Sequence, residues 1–206
     1  MPPEYWIFAY GSLMWDPQVP VAETVVGRVE GYARSFCLRS VQYRGTVEAP
    51  GLVLGLDPCA EGSCSGVALR FDPDQWPGAV AEIRRRELVT EAYREVEVPV
   101  ALVDGRHVQA LTYVMRQDHW QYAGGLSGIE QARIIAAARG KRGPNADYLF
   151  NTVAHLDHLG LPDAALSDLA AQVRVLIGQP PDCGAAADQA ARDGSSRSQG
   201  SAKRSR

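Results

Sequence analysis

"YWIFAYGSLMW", Tyr5 to Trp15, opens as a strand, breaks off on a glycine and a serine, and then resumes with bulky residues. Glu4 to Tyr10 alternates in apolar character as a half-buried strand does. A glycine at the end of such a strand lets the chain turn sharply and lets a ligand approach the main chain, because no Cβ stands in the way. The N–H groups freed there can point at an anion or a polarised carbonyl, and Ser12 adds a hydroxyl that donates or accepts. The same residues also read as a plain turn, and the motif alone does not choose between the two.

Working outward, further strands are expected at Glu23 to Tyr32, Ala33 to Ser40, Leu52 to Leu56 and Ser65 to Phe71, separated by breaks such as Pro50-Gly51 and Asp72-Pro73. A helix capped by Asp74 carries Trp76, Val80, Ile83 and Leu88 at helical spacing. Two strands, Arg94 to Val103 and His107 to Met115, flank "VDGRH", whose Asp104-Gly105 favours a tight hairpin. From Ser127 the pattern turns helical. Ser127 and Glu130 form a capping box for a helix ending on Gly140, and helices follow at Asn145 to Leu159 and Asp163 to Ile177. Strands first and helices mostly later predict an α+β fold with a curved mixed sheet or small β-barrel and flanking helices.

The chain has 206 residues, 46% hydrophobic and 22% charged, which suits one domain with a sizeable core. Its formal net charge of -3 gives no global pull toward nucleic acid or anionic lipid, so the expected partner is a small molecule. No apolar run approaches the roughly 18 residues of a membrane span, and "MPPEYWIFAYGS" lacks the features of a secretory signal, so the expected location is cytoplasmic. Cys37, Cys59, Cys64 and Cys183 match no common zinc spacing and read as reduced thiols. His155 and His158 stand three apart on one helix with no carboxylate or thiol cluster beside them, so no metal site is expected. The segment 179–206 is poor in large apolar residues and ends basic; it is expected to be a disordered tail after a domain spanning 1–178. Oligomeric state is not readable.

Two further stretches could carry chemistry. In "RRRELVTEAYREVEV", Glu87 and Glu91 follow Arg84, Arg85 and Arg86. A glutamate beside three arginines ordinarily reads as a surface ion-pair partner. Leu88 and Val89 flank Glu87, however, and a carboxyl at the edge of a core is desolvated, has a raised pKa, and can take and return protons near neutrality. In "GKRGPNADYLFNTV", Asn145 reads as an N-cap and Tyr148 falls in the first helical turn, where a buried phenol needs a partner.

Together these stretches resemble the ChaC-like γ-glutamylcyclotransferases. The likeness spans about Trp6 to Leu156 and rests on five motifs in register: "FAYGSLMW" at Phe8 to Trp15, "SVQYRGTVEAPG" at Ser40 to Gly51, "SGVAL" at Ser65 to Leu69, "RRELVTEAY" at Arg85 to Tyr93, and "GPNADYL" at Gly143 to Leu149. Two positions depart from the pattern. Tyr43 stands where many relatives have His, and Leu52 where Arg is common. The resemblance implies degradation of glutathione without a cofactor. It puts the catalytic glutamate at Glu87, the substrate-binding loop at Ile7, Phe8, Ala9, Tyr10, Gly11, Ser12 and Leu13, and a tyrosine that bonds the γ-glutamyl group at Tyr148. The side chain that grips the α-carboxylate stays open, with Arg39 and Arg44 as candidates.

The implied chemistry is economical. In a γ-glutamyl amide the α-amine can reach its own γ-carbonyl and close a five-membered lactam, so the reactants are already in one molecule. One carboxyl can move the protons, and main-chain N–H groups can hold an oxyanion or a carboxylate. Two alternatives remain open at this point: a cyclotransferase for other γ-glutamyl amides, and a non-catalytic binding module of the same fold. A third reading gives the basic tail an RNA- or partner-binding role.

Overall fold

Five strands close into a barrel in the computed structural model, which describes residues 4–178. In chain order these are β1 (Tyr5–Ala9), β2 (Glu23–Ser40), β3 (Gly51–Phe71), β4 (Tyr93–Leu102) and β5 (His107–Met115). Their order around the barrel is β1-β3-β2-β4-β5. Neighbours run antiparallel except where β5 meets β1, at Ile7↔Leu111, and β3, at Leu56↔Val114; the sheet is therefore mixed. Four helices accompany it: α1 (Trp76–Glu87), α2 (Gly128–Ala137), α3 (Asn145–His158) and α4 (Ala164–Leu176). A two-residue pairing, β6 (Arg139–Gly140) with β7 (Gly143–Pro144), joins α2 to α3. The expected α+β barrel with flanking helices is the observed fold.

The alternation of β1 explains the two main cores. Trp6 and Phe8 join Leu56, Ala68, Val100 and Val114 in a cluster built of strand residues together with Tyr10, which fills the barrel. Ile7 and Ala9 point the other way, into a larger cluster with Leu54, Leu69, Ile83, Ile135, Leu149 and Leu169, where the helices cover the sheet. One short strand thus fastens both layers, and its end is held from both sides.

Several expected boundaries move, each for a local reason. The two strands expected before Ser40 are one, and the two expected after Pro50 are one. Gly31, Pro58 and Gly62 do not end the pairing, because the irregularities are absorbed by register shifts between Glu30 and Tyr32 and between Ser35 and Leu38. Asp74 does not cap α1. The helix starts after Gln75 without a side-chain cap, with Pro in its first turn, where a missing N–H costs nothing. The capping box of Ser127 and Glu130 is present, but α2 stops at Ala137 because Arg139 and Gly140 pair with the strand that returns. Asp163 caps α4 by accepting from Leu166 N–H. Of the histidines, His155 stacks on Trp15 at 4.5 Å. Cys37 and Cys64 are buried, Cys59 is exposed, and all three are free thiols. Cys183 and the tail expected at 179–206 lie outside the described residues.

Candidate active site

Glu87 is the last residue of α1, and three consecutive arginines before it point in three directions because successive helical residues are about 100° apart. Arg84 forks onto Glu95 of β4 at 2.7 and 2.8 Å, and Arg85 pairs with Glu82 on the helix surface. Arg86 turns inward. It donates to the Ser12 hydroxyl at 2.6 Å and to the Asp16 carbonyl at 2.6 Å, and its Nε lies 3.4 Å from a Glu87 oxygen. This one guanidinium links the acid to the turn at the tip of β1. The Glu87 side chain is 17% exposed, and burial pushes its carboxyl above the ordinary range, with Arg86 pulling it partly back.

After β1 the chain makes a single 3-10 turn, Ser12–Met14, in which Met14 N–H bonds the Gly11 carbonyl and Asp16 N–H bonds that of Ser12. The Ser12 and Leu13 N–H groups precede the first bond of that turn and so have no partner within it. A Cβ on Gly11 would meet only Leu54, at 3.9 Å. Packing alone therefore does not demand glycine at position 11. Behind the turn, Arg34, with a side chain 5% exposed, donates to the Tyr10 carbonyl at 2.7 Å and to that of Ser65, and pairs with Asp163 at 3.3 Å. The end of β1 is thus pinned by one arginine from behind and bridged to Glu87 by another.

Phenols surround the acid. Tyr148 is half-buried on α3, edge-on to Phe36 at 5.8 Å. Its hydroxyl is pushed up to about 12, chiefly by burial, while Leu54 N–H and the Arg44 and Arg86 charges oppose the negative charge of Glu87. Tyr93 donates to the Leu54 carbonyl at 2.6 Å, and Tyr10 to the Tyr113 carbonyl at 2.7 Å; burial first, with Glu87 contributing, holds both far above the ordinary phenol range. The Leu54 carbonyl thus anchors one of the tyrosines beside the acid.

Asn145 is what fixes that segment of β3, and the expected capping role is wrong. The cap position is Pro144, while the fully buried Asn145 amide accepts from Leu52 N–H at 2.6 Å and donates to Leu52 C=O at 2.7 Å. This amide takes the place of a neighbouring strand two residues before Leu54. The loop between β2 and β3 folds back on itself here. A Cβ on Gly45 would overlap the Gly51 nitrogen and come within 2.5 Å of the Ser40 carbonyl. Leu52 itself is core, and the half-exposed Tyr43 stacks with Arg142 at 4.8 Å.

Among the residues expected at the site, then, Glu87, Ser12, the main chain of Tyr10 to Leu13, and Tyr148 come together. The side chains of Ile7, Phe8, Ala9 and Leu13 pack in the cores, so these residues offer a ligand main chain and rigid support. Glu91 is exposed, at φ +55°. Arg44 lies over the Tyr148 ring, whereas among the described residues no contact ties Arg39 to Tyr148 or Glu87. Arg86, Arg34 and Tyr93 were not singled out by the sequence reading; a run of three arginines gives no sign of which one turns inward. A separate cleft of about 540 Å³, lined by Arg34, Cys64, Asp163 and neighbours, includes neither Glu87 nor Tyr148, and its buried arginine is already satisfied. No group of three or more His, Cys, Asp or Glu able to hold a metal occurs among the described residues.

A closed mixed barrel with a desolvated carboxyl beside strand-end amides that have no partner within their own turn defines an α+β protein suited to acid–base chemistry on a small polar ligand. Comparison narrows this class. Residues 5–176 match the family described as ChaC-like protein. The glutathione-specific γ-glutamylcyclotransferase of Escherichia coli (strain K12) is 37% identical over 174 residues, 84% of this chain and 74% of that protein. The human glutathione-specific γ-glutamylcyclotransferase 1 is 34% identical over 174 residues, 84% of this chain and 78% of its own length. In fold, the chain is similar to the crystal structure of a γ-glutamyl cyclotransferase specific to glutathione from yeast, with a TM-score of 0.75 at 22% identity over 84% of this chain and 96% of that one. The chain belongs to the ChaC-like family.

Proposed function

We propose that residues 1–178 form a cytoplasmic glutathione-degrading γ-glutamylcyclotransferase that releases 5-oxoproline and cysteinylglycine. The observation that carries this reading is the buried Glu87 carboxyl joined through Arg86 to Ser12 at the tip of β1. Family membership supports the reaction class, and the names of the relatives support the substrate. No helix among the described residues is long and apolar enough to cross a membrane.

The steps follow from the geometry. Main-chain N–H groups along Tyr10, Gly11, Ser12 and Leu13, held by the packed Ile7, Phe8 and Ala9, receive the glutamyl end, and Tyr148 bonds the γ-glutamyl group. Ionised Glu87 accepts a proton from the α-ammonium. Its raised pKa makes it a better base than an exposed carboxylate. The freed amine attacks the γ-carbonyl carbon, forming the ring C–N bond and placing a negative charge on oxygen, which the N–H donors stabilise. Protonated Glu87 then delivers its proton to the cysteinyl nitrogen as the amide C–N bond breaks. The ring nitrogen still holds two hydrogens and gives up one to Glu87, ionised again, which passes it to the released amine; two protons thus leave one nitrogen and reach another, no water is consumed, and no step needs a metal or an organic cofactor.

Incubation of the purified chain with glutathione tests this directly. The expected result is 5-oxoproline and cysteinylglycine in equal amounts; recovery of unchanged glutathione would refute the proposal.

A further inference from the structure

One cation beside the site has no use in these steps. Arg44, half-buried in the loop between β2 and β3, has a guanidinium with one nitrogen, Nη1, committed to the Arg142 carbonyl at 2.7 Å and the Pro144 carbonyl at 3.0 Å. Its carbon lies 5.6 Å from the centre of the Tyr148 ring. Among the described residues Nε and Nη2 make no hydrogen bond and no carboxylate lies within ion-pair distance, although the charge of Asp147 is felt. Burial lowers its pKa, as expected for a guanidinium that has lost water without gaining an anion. An arginine anchored on one side with its remaining donors uncommitted is a pre-oriented fork for a carboxylate, and being already ordered it loses little entropy on binding one.

Glutathione has two carboxylates, and reach decides between them. The α-carboxylate is a single carbon from the α-amine, so with the amine on Glu87 it must lie near that acid. The cation facing Glu87 is Arg86, and Arg44 is not among the charges that act on Glu87. The Tyr148 phenol, by contrast, feels both Glu87 and Arg44. The glycyl carboxylate extends about 7 Å beyond the γ-carbonyl when the cysteinyl and glycyl residues are drawn out. It is the group with the length to pass the phenol.

We propose that Arg44 receives the glycyl carboxylate of the substrate and so sets the preference for the free tripeptide over γ-glutamyl compounds that lack this terminal charge. The assignment rests on the glutathione reading above. A site built around a charged partner rejects a ligand lacking it more strongly than an apolar pocket rejects a missing methylene.

The test compares kcat/KM for glutathione and for glutathione amide, in which the glycyl carboxylate is capped, using the wild type, Arg44→Gln and Arg44→Lys. The wild type should favour the free acid by about 100-fold. Arg44→Gln should lose that preference, with kcat/KM for glutathione falling about 100-fold, mostly through KM, and that for the amide changing less than about 3-fold. Arg44→Lys keeps the charge without the fork and should fall between. Equal turnover of acid and amide by the wild type would overturn the assignment, and that comparison needs no variant. An equal fall on both substrates in Arg44→Gln and Arg44→Lys would reduce Arg44 to a brace for the Arg142–Pro144 loop. No turnover of either compound by the wild type would overturn the functional reading, and this assignment with it.

Discussion

Replacing Glu87 by Gln separates a proton carrier from an ion-pair partner, because the two roles move stability in opposite directions. The side chain is 17% exposed and its carboxyl is raised above the ordinary 4.5 by burial, with Arg86 opposing. For an acid with a raised folded pKa, the stabilising contribution is fully present below the unfolded value. It is lost as pH rises through the folded value, so at neutral pH the ionised carboxylate burdens the fold. Arg86 keeps its bonds to Ser12 and Asp16 after the change, so no orphaned cation is left. Glu87→Gln should therefore be at least as stable as the wild type in urea unfolding at pH 7, and its advantage should shrink as the pH falls toward 4.5. Its turnover of glutathione should fall by about 10² to 10⁴-fold, the ordinary worth of a positioned acid–base group. Had Glu87 served as the partner of a buried pair, the same change would destabilise at neutral pH by about 3–5 kcal/mol. Loss of stability at pH 7, or near-native turnover, would refute the reasoning. The exposed Glu91 is the control, and Glu91→Gln should match the wild type in both measurements.

Gly11→Ala should still fold, since its Cβ meets only Leu54 at 3.9 Å, while KM for glutathione rises because the added carbon stands where the ligand approaches the main chain. Arg86→Met removes the cation that holds the Glu87 carboxyl down, so the acidic limb of the pH–rate profile, where ionised Glu87 is required, should move to higher pH. Asn145→Ala leaves the buried Leu52 N–H and C=O unpaired and should cost about 2–5 kcal/mol in denaturant unfolding.

Much of this architecture is legible in the residues because local rules and burial agree. The alternation of β1, the Asp104-Gly105 hairpin and the Ser127 capping box all appear where patterning puts them. Other features depend on partners distant in sequence. Gly31 and Pro58 look like strand breaks until pairing across β2 and β3 absorbs them as irregularities in a continuous ladder. Asn145 looks like a cap because capping is what asparagine does locally; its real partner, Leu52, is 93 residues away. At the site, the acid and the strand tip can be named from motifs. The inward turn of Arg86 and the hold of the Leu54 carbonyl on Tyr93 emerge only when the helices and strands are packed together.

The central claim is that the substrate's own amine, not water, breaks the γ-glutamyl bond. Mass spectrometry of products formed in ¹⁸O-labelled water from glutathione carrying ¹⁵N at the α-amine tests it most directly. The account predicts 5-oxoproline that retains the ¹⁵N in its ring and contains no ¹⁸O. Glutamate with ¹⁸O in its γ-carboxylate would contradict it.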